Sequence, residues 1–98
     1  MSTVNLVAIF EAKPEAADDV RTALSPVISA TRAEEGCVNY TISESQASPG
    51  SFIVVETWNS QEDLNRHARA PHMKAAIEAI GSHLAAKPVI HPLRAIDV

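Results

Sequence analysis

The residues best able to do chemistry lie in one stretch of the chain, residues 51–75. This stretch contains the only tryptophan, Trp58, followed by His67 and His72. An imidazole can take up or release a proton near neutral pH, and two imidazoles can hold a metal ion. An indole ring can stack on a flat substrate or fill part of a core. The stretch therefore suggests acid–base chemistry on a small molecule, with metal binding as an alternative.

The spacing of the two histidines argues against a metal site. Five residues on a continuous helix turn the side chains about 140° apart, and Pro71 interrupts the helix between them. The sequence contains no Cys-x-x-Cys or His-x-x-x-His pattern. None of its three glycines lies in a Gly-x-Gly context that could cradle phosphates. We therefore predict no metal site and no nucleotide cofactor.

Each candidate residue also has a purely structural interpretation. Trp58 is either a packing residue at the end of a strand or an aromatic wall for a substrate. His67 is either a satisfied, half-buried histidine or a general base. His72 lies near a helix N-terminus, where it caps the turn or acts as a neutral hydrogen-bond partner. Asn5 and Tyr40 are polar groups on apolar strands, so they are either hydrogen-bonded core residues or pocket lining.

Hydrophobic periodicity predicts the elements that position these residues. The first helix contains Pro26, at which we expect a bend and not an end. Ser60 and Asp63 have the spacing of a capping box, which predicts the start of a second helix, and Pro71 opens a third. The predicted strands are 3–12, 37–45, 52–58 and 87–98, and the predicted helices are 14–35, 60–70 and 71–84.

Alternation within the second strand predicts which of its side chains are buried. Val38, Tyr40 and Ile42 should share one apolar face, with Cys37 on the other face. Glu34, which precedes this strand, should belong to the solvated end of the first helix.

The order β-α-β-β-α-β, with the second helix split, predicts an α+β, ferredoxin-like fold with a four-stranded antiparallel sheet. A chain of 98 residues should form a single domain over residues 1–98. Helices can cover only one face of the sheet, yet the third strand is apolar on both faces, as Val54 and Val55 illustrate. We therefore expect a homodimer packed face to face as a dimeric α/β barrel, with Glu56 paired at its seam.

Charge and cysteine content restrict the partners and the compartment. The net charge is −4, and no basic run is present, so we expect neither nucleic acid nor an anionic membrane as a partner. No stretch approaches the roughly 20 apolar residues that a membrane span requires. Cys37 is the only cysteine, which fits a reducing compartment. The sequence indicates a small, acidic, cytoplasmic protein.

Three segments resemble a known family. EEGCVNY at 34–40, FIVVETWNS at 52–60 and HARAPHMKA at 67–75 resemble the antibiotic biosynthesis monooxygenase domain, in particular its quinol monooxygenase branch. That family has Glu-x-Gly-Cys before the second strand, Glu-x-Trp at the end of the third and His-x-x-x-Pro-His before the last helix. The resemblance implies oxygenation by O₂ of a small aromatic substrate, without metal, flavin or haem.

The resemblance also shows which branches of the family this chain departs from. In the haem-degrading branch, an Asn, a Trp and a His form the site, and the matching positions here are Val7, His67 and Ile77. We therefore predict that the protein does not degrade haem. The polyketide-oxidising branch has an Asn four residues before the strand tryptophan, and that residue is Val54 here.

The resulting hypothesis is a cofactor-independent monooxygenase for a quinol-like or polyphenolic substrate. His67 would be the base that takes a phenolic proton, and Asn5 would orient the substrate oxygen. Trp58, His72 and Tyr40 would bind the substrate. Two alternatives remain open: a non-catalytic dimeric barrel that binds a small apolar metabolite, and an isomerase that uses the same base without O₂.

Overall fold

The chain folds into a four-stranded antiparallel sheet with its helices packed on one face, as described for residues 3–97 by a computed structural model. The strands are β1 (Val4–Glu11), β2 (Cys37–Glu44), β3 (Ser51–Trp58) and β4 (Val89–Leu93), and the helices are α1 (Ala17–Arg32), α2 (Gln61–Ala68) and α3 (Pro71–Ile80). The strand order is β2-β3-β1-β4, with every neighbouring pair antiparallel. The predicted ferredoxin-like α+β fold is confirmed.

The helix boundaries follow the local signals in the sequence. A short 3₁₀ turn, Pro14–Ala16, precedes α1, and α1 continues through Pro26. The Ser60 side chain accepts a hydrogen bond from the Asp63 backbone N–H at 3.1 Å, which confirms the capping box at the start of α2. Pro71 occupies the first position of α3, where its missing N–H is not needed.

The second strand contains a β-bulge that alternation did not predict. The pairing with β3 shifts between Cys37 and Asn39, so Val38 is the extra residue. Because of the bulge, Cys37 lies on the same face as Tyr40 and packs against the core, whereas Val38 is exposed. The prediction that Val38 shares the face of Tyr40, with Cys37 opposite, is wrong.

The two faces of the sheet have different surroundings. The covered face packs against the helices, and its core comprises Ala8, Phe10, Tyr40, Phe52 and Val54 of the sheet with Val20, Leu24, Val27, Ala76 and Ile80 of the helices. The opposite face, called the bare face below, includes Asn5, Val7, Ile9, Ile53, Val55 and Thr57. Most of these side chains are half-buried, and Val55 is 39% exposed. The dimer predicted from this apolar face stays a prediction.

Strand β4 lies at the edge of the sheet, where it pairs with β1. Pro92 is tolerated there because one side of an edge strand has no neighbouring strand, so a missing backbone N–H on that side breaks no hydrogen bond of the sheet. Strand β4 is shorter than the predicted range 87–98. Residue 98 of that range and the first two residues of the predicted domain lie outside the residues that the structure describes. Within residues 3–97, no helix combines the length and the apolar composition needed to cross a membrane.

Candidate active site

The turn between α1 and β2 holds the start of α2 in place. Gly36 in this turn has a φ of +87°, a backbone conformation that residues other than glycine rarely adopt. A Cβ at Gly36 would overlap the Asp63 side chain in the first turn of α2. The Gly36 carbonyl also accepts a hydrogen bond from the Asn59 N–H at 2.8 Å. This close contact brings α2 next to Glu34, which lies in the same turn.

Glu34 joins the two histidines of the candidate site. His67 Nδ1 donates to Glu34 Oε2 at 2.7 Å, and His72 Nε2 donates to the same oxygen at 2.8 Å. Thr31 Oγ1 lies 3.4 Å from His72 Nε2. Because a carboxylate only accepts hydrogen bonds, the proton of a neutral His67 is on Nδ1 and its Nε2 carries a lone pair. The prediction that Glu34 belongs to a solvated helix end is wrong.

The free nitrogen of His67 is buried without a hydrogen-bond partner. His67 is 3% exposed, and its Nε2 is the one buried side-chain nitrogen or oxygen in residues 3–97 that lacks such a partner. It lies 3.9 Å from Glu56 Oε1. A buried polar atom without a partner costs free energy, and a catalytic role is one explanation for keeping such an atom.

Glu56 is buried on the covered face beside His67. Alternation along β3 points residues 54, 56 and 58 toward the helices, so the predicted pairing of Glu56 at a dimer seam on the bare face is wrong. Its Oε1 accepts a hydrogen bond from Trp58 Nε1 at 2.9 Å. Burial raises the pKa of the Glu56 carboxyl above its ordinary value, while the Trp58 hydrogen bond and the nearby His67 act in the opposite direction.

Two aromatic rings hold the His67 imidazole. The Trp58 ring is fully buried, and its centroid lies 4.7 Å from that of His67 at an interplanar angle of 33°. The Tyr40 ring meets His67 edge-on, with centroids 5.6 Å apart and an angle of 63°. Burial raises the pKa of the Tyr40 hydroxyl far above its ordinary value, so this hydroxyl stays protonated.

A cavity of about 600 Å³ lies between the covered face and the helices α2 and α3. Its volume is within the usual range for small-molecule sites. The lining is mostly apolar and includes Leu6, Ala8, Phe10, Tyr40, Val54, Leu64, Ala68, Met73, Ile77, Pro88 and Ile90. The buried polar side chains at its wall are His67 and Glu56, and exposed Lys74 and Glu78 also line it from α3.

The predicted site residues occupy three different places. His67 and Tyr40 line the cavity. Trp58 and His72 do not line it: Trp58 supports His67 and Glu56, and His72 shares the Glu34 carboxylate with His67. Asn5 is on the bare face, where its Oδ1 accepts a hydrogen bond from Thr57 Oγ1 at 2.8 Å. The structure therefore does not bring Asn5 to the cavity.

Glu34 and Glu56 were missed as site residues by the sequence interpretation. Glu34 is the first residue of the Glu-x-Gly-Cys segment, and only the folded turn shows that it faces two histidines. Glu56 could have been found from alternation alone. It lies between Val54 and Trp58 with a period of two, which places a carboxyl among buried apolar residues.

The donor atoms of Glu34, His67 and His72 all lie within 4.8 Å of one another, a grouping that could hold a metal ion. Hydrogen bonding accounts for this proximity, because each histidine nitrogen already donates to the same carboxylate oxygen. We therefore interpret the group as a hydrogen-bonded cluster in which Glu34 fixes the orientation of His67.

Comparison with known proteins identifies relatives over most of the chain. The chain is 31% identical over 96 residues to Rv0793 of Mycobacterium tuberculosis, covering 98% of this chain and 94% of the relative. The solved structure of Rv0793 superposes with a TM-score of 0.90, covering 99% of this chain and 98% of that one. The crystal structure of a protein described as an antibiotic biosynthesis monooxygenase superposes with a TM-score of 0.90 at 26% identity, covering 95% of this chain and 98% of that one.

A shorter match relates the chain to an Escherichia coli protein named "Probable quinol monooxygenase YgiN". The identity is 36% over 55 residues, which cover 48% of this chain and 53% of the relative. Residues 3–79 match the sequence pattern of the family described as antibiotic biosynthesis monooxygenase. Because this match spans well over half of the chain and includes Glu34, Glu56, His67 and His72, the chain belongs to the antibiotic biosynthesis monooxygenase family.

Proposed function

We propose that this protein is a cofactor-independent monooxygenase that acts on a quinol-like or polyphenolic aromatic substrate, with His67 as the general base. The observation that carries the proposal is the state of His67. Its Nδ1 is bound by Glu34, whereas its Nε2 is buried, has no partner and belongs to a residue that lines an apolar cavity. A base needs a free lone pair in a fixed orientation, and the arrangement supplies both.

The cavity suits a flat aromatic substrate. Its volume of about 600 Å³ accommodates a molecule of several fused rings, and its walls are mostly aliphatic and aromatic. Met73 and Tyr40 supply polarisable contacts for a ring. A substrate bound there displaces water, so an anion formed at its hydroxyl is not solvated by water and stays reactive.

The proposed reaction uses the substrate as its own electron donor. His67 Nε2 removes the proton of a substrate hydroxyl, and the resulting phenolate passes electrons from a ring carbon to O₂. A C–O bond forms at that carbon and gives a peroxide anion, which takes up a proton and becomes a hydroperoxide. Loss of water then breaks the O–O bond, removes the hydrogen from the same carbon and leaves a carbonyl. Overall, O₂ accepts four electrons, with one oxygen atom entering the product and the other leaving as water.

The relatives support this assignment because two of them are named as monooxygenases. Glu34, Gly36 and Cys37 lie within the matched family pattern, as do Glu56 and both histidines. The similarity to a protein named a quinol monooxygenase covers about half of each chain, so the quinol class is part of the proposal.

Labelling with ¹⁸O₂ tests the proposed function directly. The purified protein is offered a panel of quinols and hydroxyanthracenes, and oxygen uptake and product mass are measured. We expect one O₂ to be consumed per substrate, with one labelled atom in the product and the other in water. Conversion without O₂ would instead identify an isomerase. Binding without conversion across the panel would support the binding module and contradict the proposal.

We also propose that the bare face packs against the same face of a second copy. Val7, Ile9, Ile53 and Val55 form an apolar surface on two central strands, and a single-layer sheet of this kind usually shows polar side chains to water. Burial against a copy would remove this surface from water. Sedimentation at micromolar concentration should give twice the mass of the chain, and a stable monomer would contradict the proposal.

The proposed location is the cytoplasm. Cys37 is the only cysteine of the chain, so it has no partner for an intrachain disulfide, and this suits a reducing compartment. Fractionation of the producing cell, followed by detection of the protein, tests the location.

A further inference from the structure

We infer that Glu56 is a second catalytic residue, which in its neutral form donates a hydrogen bond to the substrate anion that His67 generates. The inference deepens the proposed function and depends on it, because it assigns a role to a group of the same cavity. The family resemblance places this glutamate in the Glu-x-Trp segment without a role, and the contacts around it supply one.

The geometry allows one substrate oxygen to contact both residues. His67 Nε2 and Glu56 Oε1 are 3.9 Å apart, and both residues line the cavity. A hydroxyl oxygen about 2.8 Å from each of these two atoms fits this separation, and a small shift of the His67 ring on binding would open the buried Nε2 to it. Such a hydroxyl gives its proton to His67 Nε2 and, once it is an anion, accepts a hydrogen bond from the carboxyl.

Trp58 fixes the orientation of this carboxyl. Its Nε1 donates to Glu56 Oε1 at 2.9 Å, and the fully buried indole cannot turn away. A neutral carboxyl has one O–H donor and keeps acceptor lone pairs, so Glu56 can accept the Trp58 bond and still donate to a substrate anion.

Burial favours the neutral form of the Glu56 carboxyl. Burial is the largest cause of the raised pKa of Glu56, and the nearby Glu34 carboxylate acts in the same direction. The opposing contributions come from the Trp58 N–H and from His67. The titratable groups that face the same region are His67 on α2, Glu34 in the α1–β2 turn, Tyr40 and Cys37 on β2, and Lys74 and Glu78 on α3.

The charge of Glu56 decides whether it helps or hinders the reaction. An ionised carboxylate 3.9 Å from the base would repel the anion that the base creates. A neutral carboxylic acid donates to that anion and stabilises the transition state that leads to it. Removing one such donor typically lowers turnover by about 10²–10³-fold.

Two variants separate a hydrogen-bond donor from a merely structural carboxyl. Glu56→Gln keeps a neutral donor and an acceptor for Trp58, whereas Glu56→Ala removes both. In the wild type, turnover of an active quinol should fall on the alkaline side of the raised pKa of Glu56, because the carboxyl ionises there. Glu56→Gln should keep turnover within a few-fold and lose this alkaline fall. Glu56→Ala should lose about 10²–10³-fold at every pH.

Two results would overturn the inference. One is an alkaline fall that persists unchanged in Glu56→Gln, since another group would then cause it. The other is a folded Glu56→Gln variant that loses as much turnover as Glu56→Ala, because the donor would then have no role. If Glu56→Ala does not fold, as judged by circular dichroism, the pH profile of Glu56→Gln decides alone.

A binding experiment distinguishes failure of this inference from failure of the proposed function. Alizarin, a dihydroxyanthraquinone, changes colour when its hydroxyl ionises, so its absorbance reports whether it is bound as the anion. Wild type and Glu56→Gln should bind the anion at a pH where free alizarin is neutral, and Glu56→Ala should bind it at least tenfold more weakly. Equal binding by Glu56→Ala overturns the role of Glu56. The protein could show the expected alizarin binding and yet oxidise no quinol. The role of Glu56 as a donor to a bound anion would then stand, and the oxygenase assignment would be wrong.

Discussion

The covered and bare faces of the sheet are built from alternate residues of the same strands, yet within residues 3–97 only the covered side holds a buried polar side-chain atom without a hydrogen-bond partner. On the bare face, Asn5 and Thr57 bind each other with a 2.8 Å hydrogen bond among half-buried apolar side chains. On the covered face, His67 retains a free nitrogen beside the buried carboxyl of Glu56. A self-satisfied polar pair has little left to offer a substrate. An imidazole held at one nitrogen and free at the other can act on one.

The largest difference between the faces should appear when a carboxylate is placed on each. Val54 is 1% exposed and Val55 is 39% exposed, although they are adjacent in β3. Val54→Asp buries a charge without a partner, which costs about 3–5 kcal/mol, so this variant should unfold. Val55→Asp should stay folded but fail to dimerise. Circular dichroism and sedimentation of the pair check both outcomes.

This pair of variants can contradict two separate statements. If Val54→Asp folds normally, the covered face is assigned incorrectly. If Val55→Asp remains a dimer of unchanged affinity, the bare face is not the interface. Val55→Thr is the matched control, because it keeps the shape of the side chain without a charge, and it should change neither fold nor mass.

The next largest effect should come from the turn that positions α2. Gly36→Ala forces a side chain into a φ of +87°, which costs about 1–2 kcal/mol, and its Cβ also displaces Asp63. We expect a lower melting temperature together with lower turnover, because α2 carries His67 away from Glu34. Gly81→Ala is the control, since nothing lies within 4 Å of a Cβ there and its φ is negative. Equal melting temperatures for the two variants would count against the proposed role of this turn.

Loss of the orienting carboxylate should have a smaller, local effect. Glu34→Gln keeps the size of the side chain but removes the charge that holds both histidines. We expect His67 to lose its fixed position and turnover to fall roughly 10²-fold, the typical cost of a misplacement of about 1 Å, with the fold retained. The ¹⁵N NMR signals of the His67 ring should show that the Nδ1–H form is no longer dominant. An unchanged tautomer with reduced turnover would show that Glu34 does not act through His67.

The smallest effect should come from the polar pair on the bare face. Asn5→Ala removes one partly buried hydrogen bond, worth about 0.5–1.5 kcal/mol of stability. We expect turnover within twofold of the wild type, because Asn5 faces away from the cavity. Chemical denaturation and steady-state kinetics check the two parts. A large loss of turnover without loss of stability would bring Asn5 back into the site.

The sequence predicted more of the fold than of the candidate site. Periodicity, the Ser60 cap and Pro71 determine the elements and their order, and each of these signals is local. The bulge at Val38 could not be read from the strand pattern, because an extra residue changes the faces without changing the composition. The contact of Glu34 with both histidines depends on how a turn with a left-handed glycine packs against α2, which is a tertiary property. Asn5 was placed near the wrong partners because being at the same end of the fold does not mean being on the same face.

The most direct test of the account is the oxygen uptake of His67→Ala beside that of Asn5→Ala. Both variants remove one polar side chain, one from each face, and both should remain folded. With an active quinol, we expect His67→Ala to lose about 10²–10⁴-fold in turnover, the usual contribution of a general base, whereas Asn5→Ala keeps its rate. Full oxygen uptake by His67→Ala across pH 5 to 8 would contradict the central claim that this histidine is the base.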